Sequence, residues 1–175
     1  MAIYATFIGK GSGSLPKRTP PENTLDAIDR KILTVLQEDG RISLSELAVR
    51  VALSPSPCLR RMRQLERAGI ITRYVAVLDQ AKVGLSVSVF VSIKLESQRV
   101  EALDRFKKAI AKWPEVLECY LMTGPRDYLL RIVVADLSAY EQFLKQKLTR
   151  IDGVVSIESS FALEQTKYSH ILPIG

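Results

Sequence analysis

One histidine, two cysteines and one tryptophan are all that the 175 residues contain of these types, and the scarcity removes whole chemistries. His170 has no second histidine to join, and Cys58 and Cys119 form no CxxC pair, so no metal-ligand set follows from spacing. Both cysteines sit inside periodic apolar patterns. That reads them as buried free thiols and fits a reducing cytoplasm. Long hydrophobic runs are missing too: none approaches the roughly 20 apolar residues that cross a bilayer, so no membrane partner is expected. No basic segment leads into a long apolar stretch near the N-terminus, so no signal peptide is read. The run Gly9-Lys10-Gly11-Ser12-Gly13 lacks the GxxxxGK[ST] spacing of a phosphate loop and is followed by Pro16, Pro20 and Pro21. With no nucleophile–base pair either, the chain is not expected to be an enzyme or to carry a cofactor.

What is there is ordinary in amount and unusual in placement. Hydrophobic residues make up 47% and charged residues 25%, the balance of a globular protein. The net charge of +6 suits a polyanionic partner. Residues 1–23, rich in glycine, serine and proline, read as a flexible tail that buries too little surface to offset the entropy of ordering it.

Order is expected from about residue 24. Asp26 and Asp29 resemble a capping box, followed by Ile28, Ile32, Leu33, Val35 and Leu36 at helical spacing, with Gly40 as the stop. Ser43 with Glu46 opens a second helix. Ser54 as N-cap, with Pro55 at the first helical position, opens a third that ends at Gly69. The run Ile70–Leu78, rich in Ile, Val and Tyr, predicts a strand. These elements make residues 24–78 a helix-turn-helix, winged-helix-like domain.

A linker is read over residues 79–85, and the grammar then changes. Val87, Val89, Val91, Ile93 and Leu95 alternate with polar or outward positions, a half-buried strand. A helix carrying Leu103, Phe106, Ile110 and Trp113 stops at Pro114. Strands Val116–Met122 and Tyr128–Val134 flank a turn. Ser138 with Glu141 caps a further helix, and Val154–Leu163 supplies the last strand. The order βαββαβ over residues 86–168 is that of a ferredoxin-like domain, and 169–175 read as a C-terminal tail. The fold class is therefore α+β.

The surface of the third helix decides what the first domain does. At 100° per residue, Cys58, Met62 and Leu65 share one stripe and face the core. Ser56, Arg60, Arg63 and Arg67 share the opposite stripe, with Pro57 and Gln64 at its edge. Arginines three and four apart repel one another, and the one acid of this helix, Glu66, points sideways, so the stripe suits an anionic partner. Small Ser54 and Ser56 let the helix N-terminus approach a phosphate. Arg61, between core and stripe, either braces the fold or contacts phosphate. These features predict double-stranded DNA as partner, through Ser54, Ser56, Pro57, Arg60, Arg61, Arg63 and Arg67.

The run from Leu53 to Ile71, Leu-Ser-Pro-Ser-Pro-Cys-Leu-Arg-Arg-Met-Arg-Gln-Leu-Glu-Arg-Ala-Gly-Ile-Ile, resembles the recognition helix of Lrp/AsnC transcription regulators. Leu25-Asp26-Ala27-Ile28-Asp29-Arg30-Lys31-Ile32-Leu33 is similar to that family's first helix, and the resemblance continues through Asp127-Tyr128-Leu129-Leu130. It implies a homodimer paired through the α+β domains, associating further into a tetramer or octamer. It also implies an amino-acid effector in a cleft between dimers, at the loop joining the second and third strands of that domain. Carried over, that loop is Thr123, Gly124, Pro125, Arg126, Asp127 and Tyr128. Gly124 permits close backbone approach, Asp127 suits an α-ammonium group, and Arg126 or backbone amides suit a carboxylate. Where relatives often place an acid and then an aromatic after the glycine, this chain has Pro125 and Arg126. A purely structural hairpin turn, and an architectural DNA-binding protein without effector, stand as the alternatives.

Overall fold

A computed structural model describes residues 25–174; the tail read over residues 1–23 lies outside the described residues. Two compact units divide the chain, with the boundary between Val75 and Ala76. The second runs to Ser169, and residues 170–174 return to the first.

The first unit is built on three helices, α1 (Ala27–Glu38), α2 (Leu44–Arg50) and α3 (Pro55–Arg67). Both expected capping boxes form. Asp26 accepts from the backbone N–H groups of Ile28 and Asp29, and Ser43 from that of Glu46, each satisfying donors that a helix start leaves orphaned. Ser54 occupies the N-cap of α3 in extended geometry, but its hydroxyl makes no capping bond. Ile32, Leu47, Cys58 and Leu65 are almost wholly buried where the helices meet. Gly69 ends α3 with φ +69°, a left-handed conformation that a glycine adopts without steric cost. The turn between α2 and α3 holds a surprise: Ala52 takes φ 57°, although an L-residue with a Cβ is disfavoured there.

Two expectations fail in this unit. Ile70–Leu78 is not a strand. Ile70 and Ile71 pack on the helical core, and beyond them the chain is exposed, with no neighbouring strand among the described residues to supply a ladder. Of the tail read over residues 169–175, residues 170–174 are instead part of this unit: Ile174 packs against the core, and Arg30 Nη1 donates to its carbonyl at 2.8 Å.

The second unit is the expected α+β domain, with β1 (Val87–Leu95), α4 (Val100–Ile110), β2 (Val116–Leu121), β3 (Tyr128–Val134), α5 (Leu137–Gln146) and β4 (Val154–Phe161). The strands form an antiparallel sheet in the order β2-β3-β1-β4, the split arrangement in which the first and third strands lie at the centre. Val89, Val91 and Ile93 of β1 and Leu130 and Ile132 of β3 project from one face into a core shared with Phe106, Phe143 and Leu148. The alternation read in β1 thus sets which face is buried. Asp136, not Ser138, caps α5, its carboxylate accepting from Ala139 N–H at 2.8 Å. Residues 79–85, read as linker, fold as a hydrogen-bonded turn within this unit, and Gln80 bonds the Ser88 hydroxyl.

Candidate nucleic-acid interface and effector loop

Helix α3 presents the surface that its periodicity requires. Cys58 and Leu65 are buried and Met62 half-buried, while Ser54, Ser56, Arg60, Arg63 and Arg67 are exposed and Pro57 is half-buried. Burial pushes the Cys58 thiol up, which keeps it protonated and unreactive. Among the described residues, no carboxylate lies within ion-pair distance of Arg60, Arg63 or Arg67. Glu66 instead accepts a hydrogen bond from the Tyr74 hydroxyl at 3.2 Å, away from the arginine stripe. A row of fixed cations without internal counterions is left open to an outside anion.

Arg61 does not join that row. Its Nη1 donates to Asp26 at 2.7 Å and to Asp29 at 2.8 Å, tying α3 to the first turn of α1. Backbone donation from Asp29, then the Arg61 guanidinium, holds the Asp26 carboxyl below its ordinary range. Of the two roles open to Arg61 in the sequence, the bracing one has its partners in the fold: both carboxylates at the start of α1 meet the same guanidinium nitrogen. That pairing joins residues 32 and 35 positions apart, which no local pattern announces.

The loop between β2 and β3 divides into an open tip and a buried base. Thr123, Gly124 and Pro125 are exposed, and Gly124 takes φ 110° with open space around the place of a Cβ. Arg126 folds back onto β4, Nη2 to Glu158 at 2.7 Å and Nη1 to the Ser156 hydroxyl at 3.1 Å. Asp127 is only 3% exposed. One oxygen accepts from Leu95 N–H at 2.7 Å, and the other from Gln98 Nε2 at 2.6 Å with Lys94 Nζ at 3.5 Å. Burial alone would raise its pKa; the hydrogen bonds from Leu95 and Gln98 and the Lys94 charge outweigh that and lower it.

Tyr128 belongs to the core. It is stacked on Phe106 with ring centroids 4.5 Å apart and donates to the Leu103 carbonyl at 3.3 Å, and burial pushes its hydroxyl up to about 12. Asp127, given an ammonium-binding role in the sequence, has its oxygens bonded to the end of β1 and to Gln98 in the structure. Tyr128 likewise contributes packing. Lys94 and Gln98, the partners of Asp127, went unnoticed in the sequence because a strand end and the loop after it carry no periodic signal.

A second polar cluster also escaped the sequence reading. Arg131 on β3 pairs with Glu118 on β2 at 3.0 Å, and its other nitrogen reaches Gln80 at 3.4 Å. Glu118 and Arg131 stand opposite each other in register, so the pair fixes strand alignment on the sheet face away from the helices. Register alone could have suggested it, once β2 and β3 were paired.

A three-helix unit with an arginine stripe that no carboxylate neutralises among the described residues, joined to a split βαββαβ domain, defines a two-domain DNA-binding regulator. Comparison with known proteins makes the class definite. Residues 25–72 match the winged helix-turn-helix DNA-binding family, and residues 88–172 the Lrp/AsnC ligand binding domain. The Bkd operon transcriptional regulator of Pseudomonas aeruginosa is 47% identical over 150 residues, covering 86% of this chain and 98% of that protein. The leucine-responsive regulatory protein of Escherichia coli is 44% identical over 154 residues, covering 88% and 94%. A crystal structure of a transcriptional regulator from Neisseria meningitidis in complex with L-Met superposes with a TM-score of 0.82 at 45% identity, covering 86% and 97%. The chain belongs to the Lrp/AsnC family of transcription regulators.

Proposed function

We propose that this regulator reads double-stranded DNA through the outward stripe of α3. In this reading Arg60 and Arg63 meet base edges, and Ser54, Ser56, Pro57 and Arg67 meet the backbone. The observation that carries it is the absence, among the described residues, of any carboxylate within ion-pair reach of the three stripe arginines. A second recognition helix is supplied by a second copy. Family membership supports a homodimer that assembles further into a tetramer or octamer, with a pseudo-palindromic operator whose half-sites lie about one helical turn apart. It works in the cytoplasm. No helix among the described residues is long and apolar enough to cross a membrane.

The signal is a small amino acid. The relative in complex with L-Met supports that ligand class, and the match to the ligand binding domain supports its location in the second unit. The exposed tip Thr123-Gly124-Pro125, with Arg126 behind it, supplies backbone amides and one cation for a carboxylate. An architectural DNA-binding protein without effector is favoured by one specific observation: Asp127 and Arg126 already have partners within the domain. Thermal melting in the presence of each of the twenty amino acids separates the readings. A selective upward shift marks the effector, and twenty flat responses favour the architectural protein. Operator binding by the Arg60→Ala/Arg63→Ala variant tests the helix. Unchanged affinity in a folded, oligomeric variant would remove α3 from the interface.

A further inference from the structure

Two adjacent charges at the foot of the β2–β3 loop are held in different ways. Asp127 is locked. Its N–H donates to the Ile93 carbonyl at 2.8 Å, one carboxylate oxygen accepts from Leu95 N–H at 2.7 Å, and the side chain is buried. These bonds fix the backbone from which the neighbouring Arg126 side chain springs. That side chain lies in the open. Its Nη2 meets Glu158 Oε2 at 2.7 Å and its Nη1 the Ser156 hydroxyl at 3.1 Å, the Arg126 and Glu158 side chains being 36% and 62% exposed. An ion pair so exposed holds weakly, because water and salt screen it and two long side chains must keep one geometry. Arg126 is a cation on a rigid mount with an exchangeable counterion.

The surroundings favour one kind of exchange. Ser156 and Glu158 flank Ile157, which packs on the core, so both project from the sheet face turned away from the helices. Lys94 stands opposite Ser156 in register on that face. Cations therefore gather around Ser156, with the Glu158 carboxylate beside them. A lone carboxylate that displaced Glu158 from Arg126 would leave two anions side by side. A lone amine drawn to Glu158 would take the counterion from the guanidinium. A molecule carrying both groups on one carbon strands neither charge: its carboxylate meets the guanidinium fork and its ammonium meets Glu158. That molecule is an α-amino acid.

We propose that the effector inserts into the Arg126–Glu158 pair, its α-carboxylate replacing Glu158 on Arg126 and accepting from the Ser156 hydroxyl, while the freed Glu158 accepts from the α-ammonium group. The ammonium acceptor is then Glu158 of β4, and the Asp127 oxygens stay with Leu95 and Gln98. Exchange of counterions at Arg126 also unclasps the loop from β4, so the empty and occupied states differ in a defined contact through which an amino acid shifts the domain. This rests on the reading of the chain as an amino-acid-responsive regulator, and the experiment separates the two.

The full-length protein is melted with each of the twenty amino acids, and the one that raises its melting temperature most becomes the probe. Calorimetry then titrates that amino acid, its decarboxylated amine and its deaminated acid into the wild type, Glu158→Gln and Arg126→Gln. Neither substitution opens the core, because both side chains are exposed. The wild type should bind the amino acid in preference to either fragment. Glu158→Gln should bind the amino acid at least about tenfold more weakly, having lost a charged hydrogen-bond acceptor. It should also gain affinity for the deaminated acid, since no anion then competes for Arg126. Arg126→Gln should lose the amino acid and gain the amine. Wild-type affinity for the amino acid in both variants overturns the proposal and leaves the effector reading standing. Weaker binding with no gain of either fragment also overturns it, because a merely distorted loop does not exchange one charge preference for another. Twenty flat melting responses of the wild type overturn both.

Discussion

Arg61 of α3 and Asp29 of α1 lie 2.8 Å apart, and the same guanidinium nitrogen reaches Asp26 at 2.7 Å. The N-terminal turn of one helix and the middle of the recognition helix are thereby fixed to each other. Carboxylates that stabilise the start of α1 through its dipole do a second task by fixing α3. Substituting Arg61 by Ala should lower the melting temperature by a few degrees, modestly because the pair is partly exposed and screened by salt. The salt slope of DNA binding should stay at the wild-type value, since no phosphate contact is removed. A slope reduced by about 1 would return Arg61 to the DNA interface.

The same pair makes a pH prediction. Asp26 has its pKa lowered on folding, so its contribution is present above the ordinary value of 3.8 and lost as pH falls through the folded value. Melting curves between neutral and acid pH should show this loss in the wild type and a shallower acid limb in Arg61→Ala.

Along the stripe, Arg60→Ala or Arg63→Ala should each weaken operator binding by about 1–3 kcal/mol where the arginine reads a base bidentately, and relax sequence preference at that base. Arg67→Ala should weaken all sequences alike and reduce the salt slope by about 1. Anisotropy titrations on operator and scrambled duplexes at several salt concentrations separate the two behaviours.

Asp127→Asn should destabilise the second unit without any effector present. An amide has one acceptor where the carboxylate uses two, so its NH2 group must confront either Leu95 N–H or the Gln98 and Lys94 nitrogens. A buried donor left unsatisfied costs about 1–3 kcal/mol. Because the Asp127 pKa is lowered, the wild type should lose this stability only as pH drops below the carboxylate range, and the Asn variant should lack that acid dependence. A variant as stable as wild type in chemical denaturation would show that the three donors have other partners.

Ala52→Gly should stabilise the first unit. The left-handed conformation costs an alanine roughly 1–2 kcal/mol, whereas glycine gives back about 0.4–1 kcal/mol through its freer unfolded chain. The balance is a gain of about 0.5–1 kcal/mol, readable by denaturant titration with DNA affinity held or improved. A loss of stability would mean that the Ala52 methyl group has a packing role in the turn.

Most of the architecture was legible along the chain. The alternation in Val87–Leu95 located β1 to the residue, because a half-buried strand has a strict period of two. The capping pairs at Asp26 and Ser43 located two helix starts, because the bonds they make are local. The arginine stripe of α3 was legible for the same reason: helical geometry alone puts Arg60, Arg63 and Arg67 on one side. Where two local signals competed, the sequence misled. Ser138 with Glu141 looked like the cap of α5, but Asp136 starts the helix one residue before Leu137.

Periodicity, capping and charge placement are properties of neighbours in the chain, and they determined the two-domain plan, the buried faces and the exposed stripe. Only the tertiary structure decided which polar groups meet across the fold. It gave Arg61 to Asp26 and Asp29, Asp127 to the end of β1, Arg126 to β4, and the Ile174 carbonyl to Arg30. It also withheld a ladder from Ile70–Leu78, whose composition favours a strand but whose unit offers no other strand among the described residues. The physical reason is common to all five. A charge or an extended backbone has no preferred partner until folding brings one within hydrogen-bonding distance, and that partner is chosen by the packing of residues far away in sequence.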